Sequence, residues 1–540
     1  MVTPLQTVNL LSVASEMYPF IKTGGLADVV GSLPAALEQY GIAVRTLIPG
    51  YPCVLKKVSE RTVVKTFENV LGYEVTLWSG VSNGQQLYIL ESPQLFTRTG
   101  NPYCSAPGAD WSDNGLRFAV LSRIGASIAQ GCLTDWAPDV VQTHDWQTGL
   151  LAAYLHYDAQ RTVPTVHTVH NLAFQGIFPQ TCLHQFGLPD EAFSFDGVEY
   201  YGQISFLKAA LQFSTRLIAV SPTYAEEIKT AEMGMGLNGL LKSRSSALVG
   251  ILNGLDTVEW NPLTDQSVRF PYKVGDALGR APNKRAFQAE FGLPQNKDTF
   301  LLGLVSRLTT QKGIDILADI IPDLCEMNIQ LVVVGTGDPA LARRLSALQN
   351  QFPRQVACYL NYSETLAHRL HASVDASLIP SRFEPCGLTQ MQALRYGSVP
   401  IAARVGGLSD TIVDANSAAI AEGVANGILF TPTDPSTLLG AIRKAHSLFK
   451  QKSVWARLQR NGSLHDVSWL GKAGDYSKIF MELAGHTTSL SEHDGDIAPR
   501  KGDVAPRAPK MRSRLHTARM PRASAFSPKA EALKLTGTRH

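Results

Sequence analysis

Short apolar runs alternating with helix-period stretches constrain this chain more than any other feature. Val8 to Ala14, Ala43 to Ile48, Val140 to Thr143, Thr165 to Val169 and Leu217 to Val220 form one series; Phe300 to Val305, Leu331 to Val334, Ala376 to Ile379 and Val399 to Ala402 form a second. Such runs read as strands buried on both faces, and their alternation with helices implies parallel sheets layered between helices. Between the series, Trp260-Asn-Pro, Phe270-Pro, Gly275, Gly279 and Ala281-Pro interrupt every periodicity. The expected fold is α/β: two facing Rossmann-like domains, 1–257 and 286–465, joined by a linker at 258–285, with a central cleft as the default ligand site. A helical pattern from Leu470 to Leu483 closes the folded part, and residues 466–485 are expected to pack back on the first domain.

Nothing in the charge demands nucleic acid, and no nucleic-acid partner is expected. Lys and Arg number 49 against 46 Asp and Glu, a net charge of +3. Residues 486–540 hold eleven of those cations and five of the anions, a surplus of six that leaves the body at −3. Their Pro, Arg, Ser and Ala content predicts a disordered basic tail. Seven scattered cysteines with no C-x-x-C pair argue against a disulfide framework or a zinc site. No secretory signal pattern precedes Val8 and no apolar run reaches membrane-span length, so the expected location is cytoplasmic, or a plastid stroma if the chain is a processed form.

Loops at the carboxyl ends of the predicted strands carry the chemistry. The strand Ala376 to Ile379 leads through Pro380 and Ser381 to Glu384, and a helix is expected from Gly387 to Tyr396, closed by Gly397. A carboxylate beside a helix start, where free amides attract phosphate oxygens, suits a substrate with hydroxyls and phosphates. Lys22-Thr-Gly-Gly-Leu-Ala-Asp28 follows the first strand; its glycines permit close approach and Lys22 is a mobile cation. It matches neither the G-x-G-x-x-G nor the ATP phosphate-loop spacing. Ser306-Arg-Leu-Thr-Thr-Gln-Lys-Gly313 places Arg307 and Lys312 at another strand end, a pair suited to a diphosphate, and Gly335-Thr-Gly-Asp338 is a further turn that can meet a nucleotide. His167, His170 and Asn171, with Asp145 from Thr143-His-Asp-Trp-Gln-Thr-Gly149, are expected to face the same cleft and recognise sugar hydroxyls. No metal site is expected, since no carboxylate stands at ligand spacing from these histidines and Asp494-Gly-Asp496 lies in the tail.

Together, Lys22-Thr-Gly-Gly-Leu-Ala-Asp28, His144-Asp-Trp146, His170-Asn171, Ile251-Leu-Asn-Gly254, Ser306-Arg307, Gln311-Lys-Gly313 and Arg382-Phe-Glu-Pro-Cys-Gly-Leu-Thr389 resemble, in order and spacing, the bacterial-type glycogen synthases and plant starch synthases. The resemblance covers roughly residues 8 to 483. It implies the GT-B architecture and transfer of glucose from ADP-glucose, a substrate rather than a cofactor, to the non-reducing end of an α-1,4-glucan with retention at the anomeric carbon. By the same resemblance, Lys22, Gly24 and Gly25 approach the donor phosphates and glucose, and Asp28, Tyr103 and Asp145 line the first domain's side. His170 binds the glucose and places its carbonyl near the anomeric centre, beside Asn171. Arg307 and Lys312 hold the diphosphate, and Glu384 binds glucose hydroxyls. Cys386, Gly387, Leu388 and Thr389 contact sugar and distal phosphate, Tyr362 stacks on adenine, and Asn253 and Gly335 complete the binding set.

Three positions, Gln392, Met235 and Asn238, bear on the comparison with relatives. Some transferases of this fold carry a second Glu where Gln392 stands, whereas glycogen and starch synthases generally do not. Met235 and Asn238 occupy places where the family usually has Tyr and Glu. The implied reaction is metal-independent and front-face, with no carboxylate nucleophile. A UDP-glucose-using transferase and a catalytically silent glucan-binding homologue are the competing readings. A nicotinamide oxidoreductase lacks its glycine fingerprint.

Overall fold

Strands rich in apolar residues can be buried on both faces, and those of this chain assemble into two parallel cores. The computed structural model describes residues 7–105, 109–158 and 160–485. The predicted basic tail, 486–540, lies outside the described residues. The first sheet contains β1 (Val8–Val13), β2 (Ile42–Pro49), β3 (Arg61–Val70), β4 (Tyr73–Ser82), β5 (Gln85–Glu91), β6 (Val140–His144) and β7 (Thr165–Val169). A small antiparallel sheet follows from β8 (Ile177–Pro179), β9 (Glu199–Tyr200) and β10 (Gln203–Ser205), before β11 (Arg216–Ala219) and β12 (Leu248–Gly250) rejoin the first. The order is β12-β11-β7-β6-β1-β2-β5-β4-β3. It is parallel from β12 to β5.

The antiparallel β5-β4-β3 edge corrects the expectation of purely parallel sheets. Its outer strand β3 is largely exposed, carries Lys65 and Glu68, and shifts register between Val63 and Lys65. Charge and bulge both blunt an open edge.

The second sheet contains β13 (Leu301–Val305), β14 (Gln330–Val334), β15 (Val356–Tyr359), β16 (Ala376–Ile379), β17 (Val399–Ala403) and β18 (Ile428–Phe430), all parallel, in the order β15-β14-β13-β16-β17-β18. The chain winds outward from β13 in one direction and from β16 in the other. That is the Rossmann switch point, and ligands bind in the crevice it opens at the carboxyl ends of the strands. The first sheet has the same reversal between β1 and β6. The fold is therefore the expected GT-B arrangement, two Rossmann-like units around a central cleft.

Residues 256–280 contain no helix or strand, yet Trp260 and Tyr272 are buried; Trp260 stacks on His368 with ring centroids 3.7 Å apart. The chain returns beside its outward passage, where Leu255 N donates to Val467 O at 2.7 Å. The helix Lys472–Leu483 then buries Ala473, Tyr476 and Phe480 against β1 and the helix Gly25–Glu38, and Trp469 Nε1 donates to Ser32 Oγ at 2.8 Å. Among the described residues, no helix is long and apolar enough to cross a membrane.

Candidate active site

The loops after β13 and β16 form the lower wall of the cleft. Gly313 closes the β13 loop with φ +69°, and a Cβ there would lie 2.0 Å from Pro380 O, so this glycine lets the two loops touch. That contact brings Lys312 Nζ to 2.5 Å from Glu384 Oε2, which also accepts from Ser381 Oγ at 2.8 Å. The Glu384 loop rests on the turn after β17: Gly407 N donates to Glu384 O and Pro385 O at 3.1 and 3.2 Å. The next helix begins at Thr389 rather than Gly387, because Gly387 at φ +71° turns the chain left-handed, outside helical space. Gly335 serves packing, since a Cβ would sit 1.9 Å from Ser306 O.

The loop after β1 forms the upper wall. Buried Glu16 accepts from Thr23 through both its amide and its hydroxyl, the latter at 2.8 Å, and from Tyr103 OH at 2.8 Å. Burial raises the Glu16 carboxyl above its ordinary value, opposed by these donors. Ser15 Oγ also lies 2.8 Å from Tyr103 OH. The glycine turn is thus pinned from beneath, and Lys22 leans back to Asp28 Oδ1 at 2.9 Å. Burial pushes Asp28 up to about 6, with Lys22 working against it.

His170 and Asp145 come from the ends of β7 and β6. Asp145 is buried, adopts φ +53°, and accepts from the backbone N–H groups of His170 and Asn171 at 2.6 and 3.3 Å. Burial raises its carboxyl to about 7. His170 Nε2 meets His144 Nδ1 at 3.0 Å, and burial depresses His170 to about 3, so its ring is neutral at physiological pH. Asn171 Oδ1 accepts from Ala173 N at 3.0 Å, leaving the amide nitrogen of the side chain for other partners.

His167 corrects the expectation of a cleft-facing residue. It is fully buried inside β7, with Nδ1 2.8 Å from Thr143 Oγ1. Strand side chains alternate with period two, so residues three apart leave on opposite faces.

The two walls touch. A Cβ on Gly25 would lie 3.3 Å from Leu388 Cδ1. Lys22 Nζ donates to Glu364 Oε1 at 2.9 Å, and Glu364 also accepts from Tyr362 OH. The exposed Arg307 guanidinium lies 5.9 Å from the centre of the Phe174 ring. Asn253 and Cys386 are both buried at the junction of the walls, and burial pushes the Cys386 thiol up to about 12. Gly24 faces open space. Met235 takes φ +49° and its carbonyl accepts from Gln175 Nε2 and Tyr200 OH at 2.8 and 2.6 Å, while Asn238 begins a short helix. Among the described residues, no group of three His, Cys, Asp or Glu side chains converges to hold a metal ion.

The family model for the starch synthase catalytic domain matches residues 9–243, and that for group 1 glycosyl transferases matches 286–461. A glycogen synthase of Rhodopseudomonas palustris is 49% identical over 479 residues, 89% of this chain and 99% of the relative. The chain belongs to the glycogen synthase and starch synthase family. A glycogen synthase of Acidiphilium cryptum, 47% identical, covers 88% of this chain and 99% of its own. Among solved structures, the catalytic domain of starch synthase IV from Arabidopsis thaliana, bound to ADP and acarbose, superposes with a TM-score of 0.82 at 31% identity, covering 89% of this chain and all of that one. A sucrose-phosphate synthase from Thermosynechococcus elongatus, at 17% identity and a TM-score of 0.54, shares the fold.

Within this glycosyltransferase the sequence concealed three contributors. Glu16 and Glu364 act through partners distant in the chain, and His144 stood inside a recognised motif without a role of its own. Two signals could have flagged the two carboxylates: a carboxylate three residues past an apolar strand, and a Ser363-Glu364 helix start, whose Ser363 hydroxyl indeed accepts from Leu366 N.

Proposed function

We propose that this protein transfers glucose from ADP-glucose to the non-reducing end of an α-1,4-glucan, with retention at the anomeric carbon. The observation that carries the reading is the cross-cleft meeting of the Lys22–Gly25 turn with Leu388 and Glu364. It brings a cation and open glycine backbone opposite a second wall with two cations, a carboxylate and a helix start, a setting complementary to a sugar diphosphate. The names of the relatives, and the ADP in the Arabidopsis structure, support the donor and polymer class.

In this reading Arg307 and Lys312 take the diphosphate, with Lys22, Gly24, Gly25 and the amides of Cys386 to Thr389 beside it. Glu384, His170 and Asn171 hold the glucose hydroxyls, and Tyr362 stacks on the adenine. Asp28, Tyr103 and Asp145 shape the acceptor side, Asn253 joins the walls, and Gly335 keeps the nucleotide loop close to Ser306.

Double displacement needs a carboxylate free to attack the anomeric carbon. Here Glu384 is held by Lys312 and Ser381, Asp145 by two backbone amides, and Asp28 by Lys22. A front-face route fits better: the bond from C1 to the phosphate oxygen breaks, the acceptor O4 bonds to C1 on the same face, and the O4 proton passes to the departing diphosphate. The cations stabilise the charge that develops there.

The test is nucleotide release from ADP-glucose and from UDP-glucose, each with and without a maltooligosaccharide primer. Primer-dependent ADP release and α-linked product support the proposal. Preference for UDP-glucose would make the donor assignment wrong, and no release from either donor would indicate a silent glucan-binding homologue.

A further inference from the structure

Ser12, His144 and His170 form a hydrogen-bonded chain that starts inside the first sheet and ends at the cleft. Ser12 lies within β1 and His144 at the end of the adjacent parallel strand β6. Ser12 Oγ is 3.2 Å from His144 Nε2, and His144 Nδ1 is 3.0 Å from His170 Nε2. Ser12 and His144 are buried; His170 is partly exposed. Its Nδ1 makes no hydrogen bond among the described residues and is not a buried atom, so it is the ring nitrogen left for a ligand.

Both rings are neutral, because burial depresses His144 and His170 alike. A neutral imidazole donates from one nitrogen and accepts at the other, which leaves two polarities for the chain. In one, the Ser12 hydroxyl donates to His144 Nε2, His144 Nδ1–H donates to His170 Nε2, and His170 carries its hydrogen on Nδ1. In the other, His170 Nε2–H donates to His144 Nδ1 and His144 Nε2–H donates to Ser12 Oγ. The second leaves the Ser12 hydroxyl hydrogen without an acceptor among the described residues, inside the sheet. Buried donors are rarely left unpaired, and the first polarity pairs them all.

We infer that Ser12 and His144 are positioning residues that hold His170 in the tautomer with hydrogen on Nδ1, so that it presents an N–H donor to an oxygen of the donor sugar. The inference rests on the proposed sugar contact of His170, and it deepens that contact by assigning its direction.

The test uses the full-length protein labelled with ¹⁵N-histidine, the His170 signals being assigned by their loss in His170→Gln. The expected ligand-free spectrum at neutral pH shows a protonated Nδ1 and an unprotonated Nε2 on His170. Ser12→Ala should move His170 toward the Nε2–H form and lower kcat about tenfold, by analogy with the orienting partners of metal-bound histidines, with acceptor KM unchanged. Ser12→Thr, which restores the hydroxyl, should recover both. His144→Leu should reproduce the loss if Ser12→Ala does not fold. Hydrogen on Nε2 of His170 in the wild type overturns the proposal. So does a tautomer indifferent to both losses, or a shifted tautomer with unchanged kcat. The spectrum is read without donor, so a wild type that releases no ADP would count against the proposed reaction and leave the tautomer result standing.

Discussion

Lys22 and Glu364, 342 residues apart in the chain, meet at 2.9 Å across the cleft. Lys22 also pairs with Asp28, so one cation is shared by two carboxylates and the cluster carries a net charge of −1. If Lys22 takes the donor diphosphate as proposed, the diphosphate meets that negative charge and draws Lys22 away from Glu364. Glu364→Gln makes the cluster neutral and leaves the Asp28 contact. Donor KM should fall roughly threefold to tenfold, about 0.6–1.4 kcal/mol, with kcat little changed. Steady-state kinetics against ADP-glucose checks this; a raised KM would mean that Glu364 itself binds the donor.

Lys22 has a carboxylate partner on each wall, whereas Lys312 pairs with Glu384 on its own wall. If Lys312 and Arg307 stabilise charge on the departing diphosphate, Lys312→Ala and Arg307→Ala should each lower kcat roughly a hundred- to a thousandfold, the scale for removing a donor to developing charge. Thermal midpoints should move little for Arg307→Ala, whose side chain is exposed. Turnover at the wild-type rate in either variant would refute the role.

Both Rossmann-like units were legible because their inner strands are buried on both faces. β14 and β16 are entirely buried and appear in the sequence as apolar-rich runs, while β6 and β7, equally buried, show valines set among Gln142, Thr143, His144, Thr165, His167 and Thr168. The β5-β4-β3 edge was not, since β3 mixes Lys65, Thr66 and Glu68 with Val63 and Phe67 and gives no clean period. Glycine turns and cations at strand ends were readable from their place after each run. Glu16 was not, because its importance depends on Thr23 and Tyr103, and the second partner lies 87 residues away. His167 was misplaced for a local reason: inside β7 its direction is set by strand alternation, whereas His170 lies just past the strand's last residue.

Gly25 faces the opposite wall at an apolar contact, where a Cβ would lie 3.3 Å from Leu388 Cδ1. Gly25 opens the helix Gly25–Glu38 without a left-handed φ, so a larger residue meets no backbone penalty and only crowds Leu388. Gly25→Val should lower kcat/KM about tenfold or more, the scale of a small overpacking cost, while the thermal midpoint stays near that of the wild type. Leu388→Ala in the same chain should return part of the loss, with a coupling of about 1–2 kcal/mol, as for residues in contact. Additive losses in the double variant would show that the two do not meet when the enzyme turns over.

Burial of His167 makes stability depend on pH in a stated direction. Its folded-state value is depressed to about 3, against an ordinary 6.5, by desolvation first and by the nearby His170 second. Between those values the unfolded chain binds a proton that the folded chain refuses, so stability is full above pH 6.5 and is lost as pH falls toward 3. Asp145, raised to about 7, has the opposite sign, but it is common to the wild type and a His167 variant and cancels in their difference. His167→Asn keeps a polar group near Thr143 Oγ1 and removes the titration. The variant will be less stable at pH 7 because it loses a buried ring. Its deficit should shrink by about 2 kcal/mol between pH 7 and pH 5. Unfolding midpoints of both proteins at the two pH values measure the gap, and a constant gap would mean that His167 takes up its proton without unfolding.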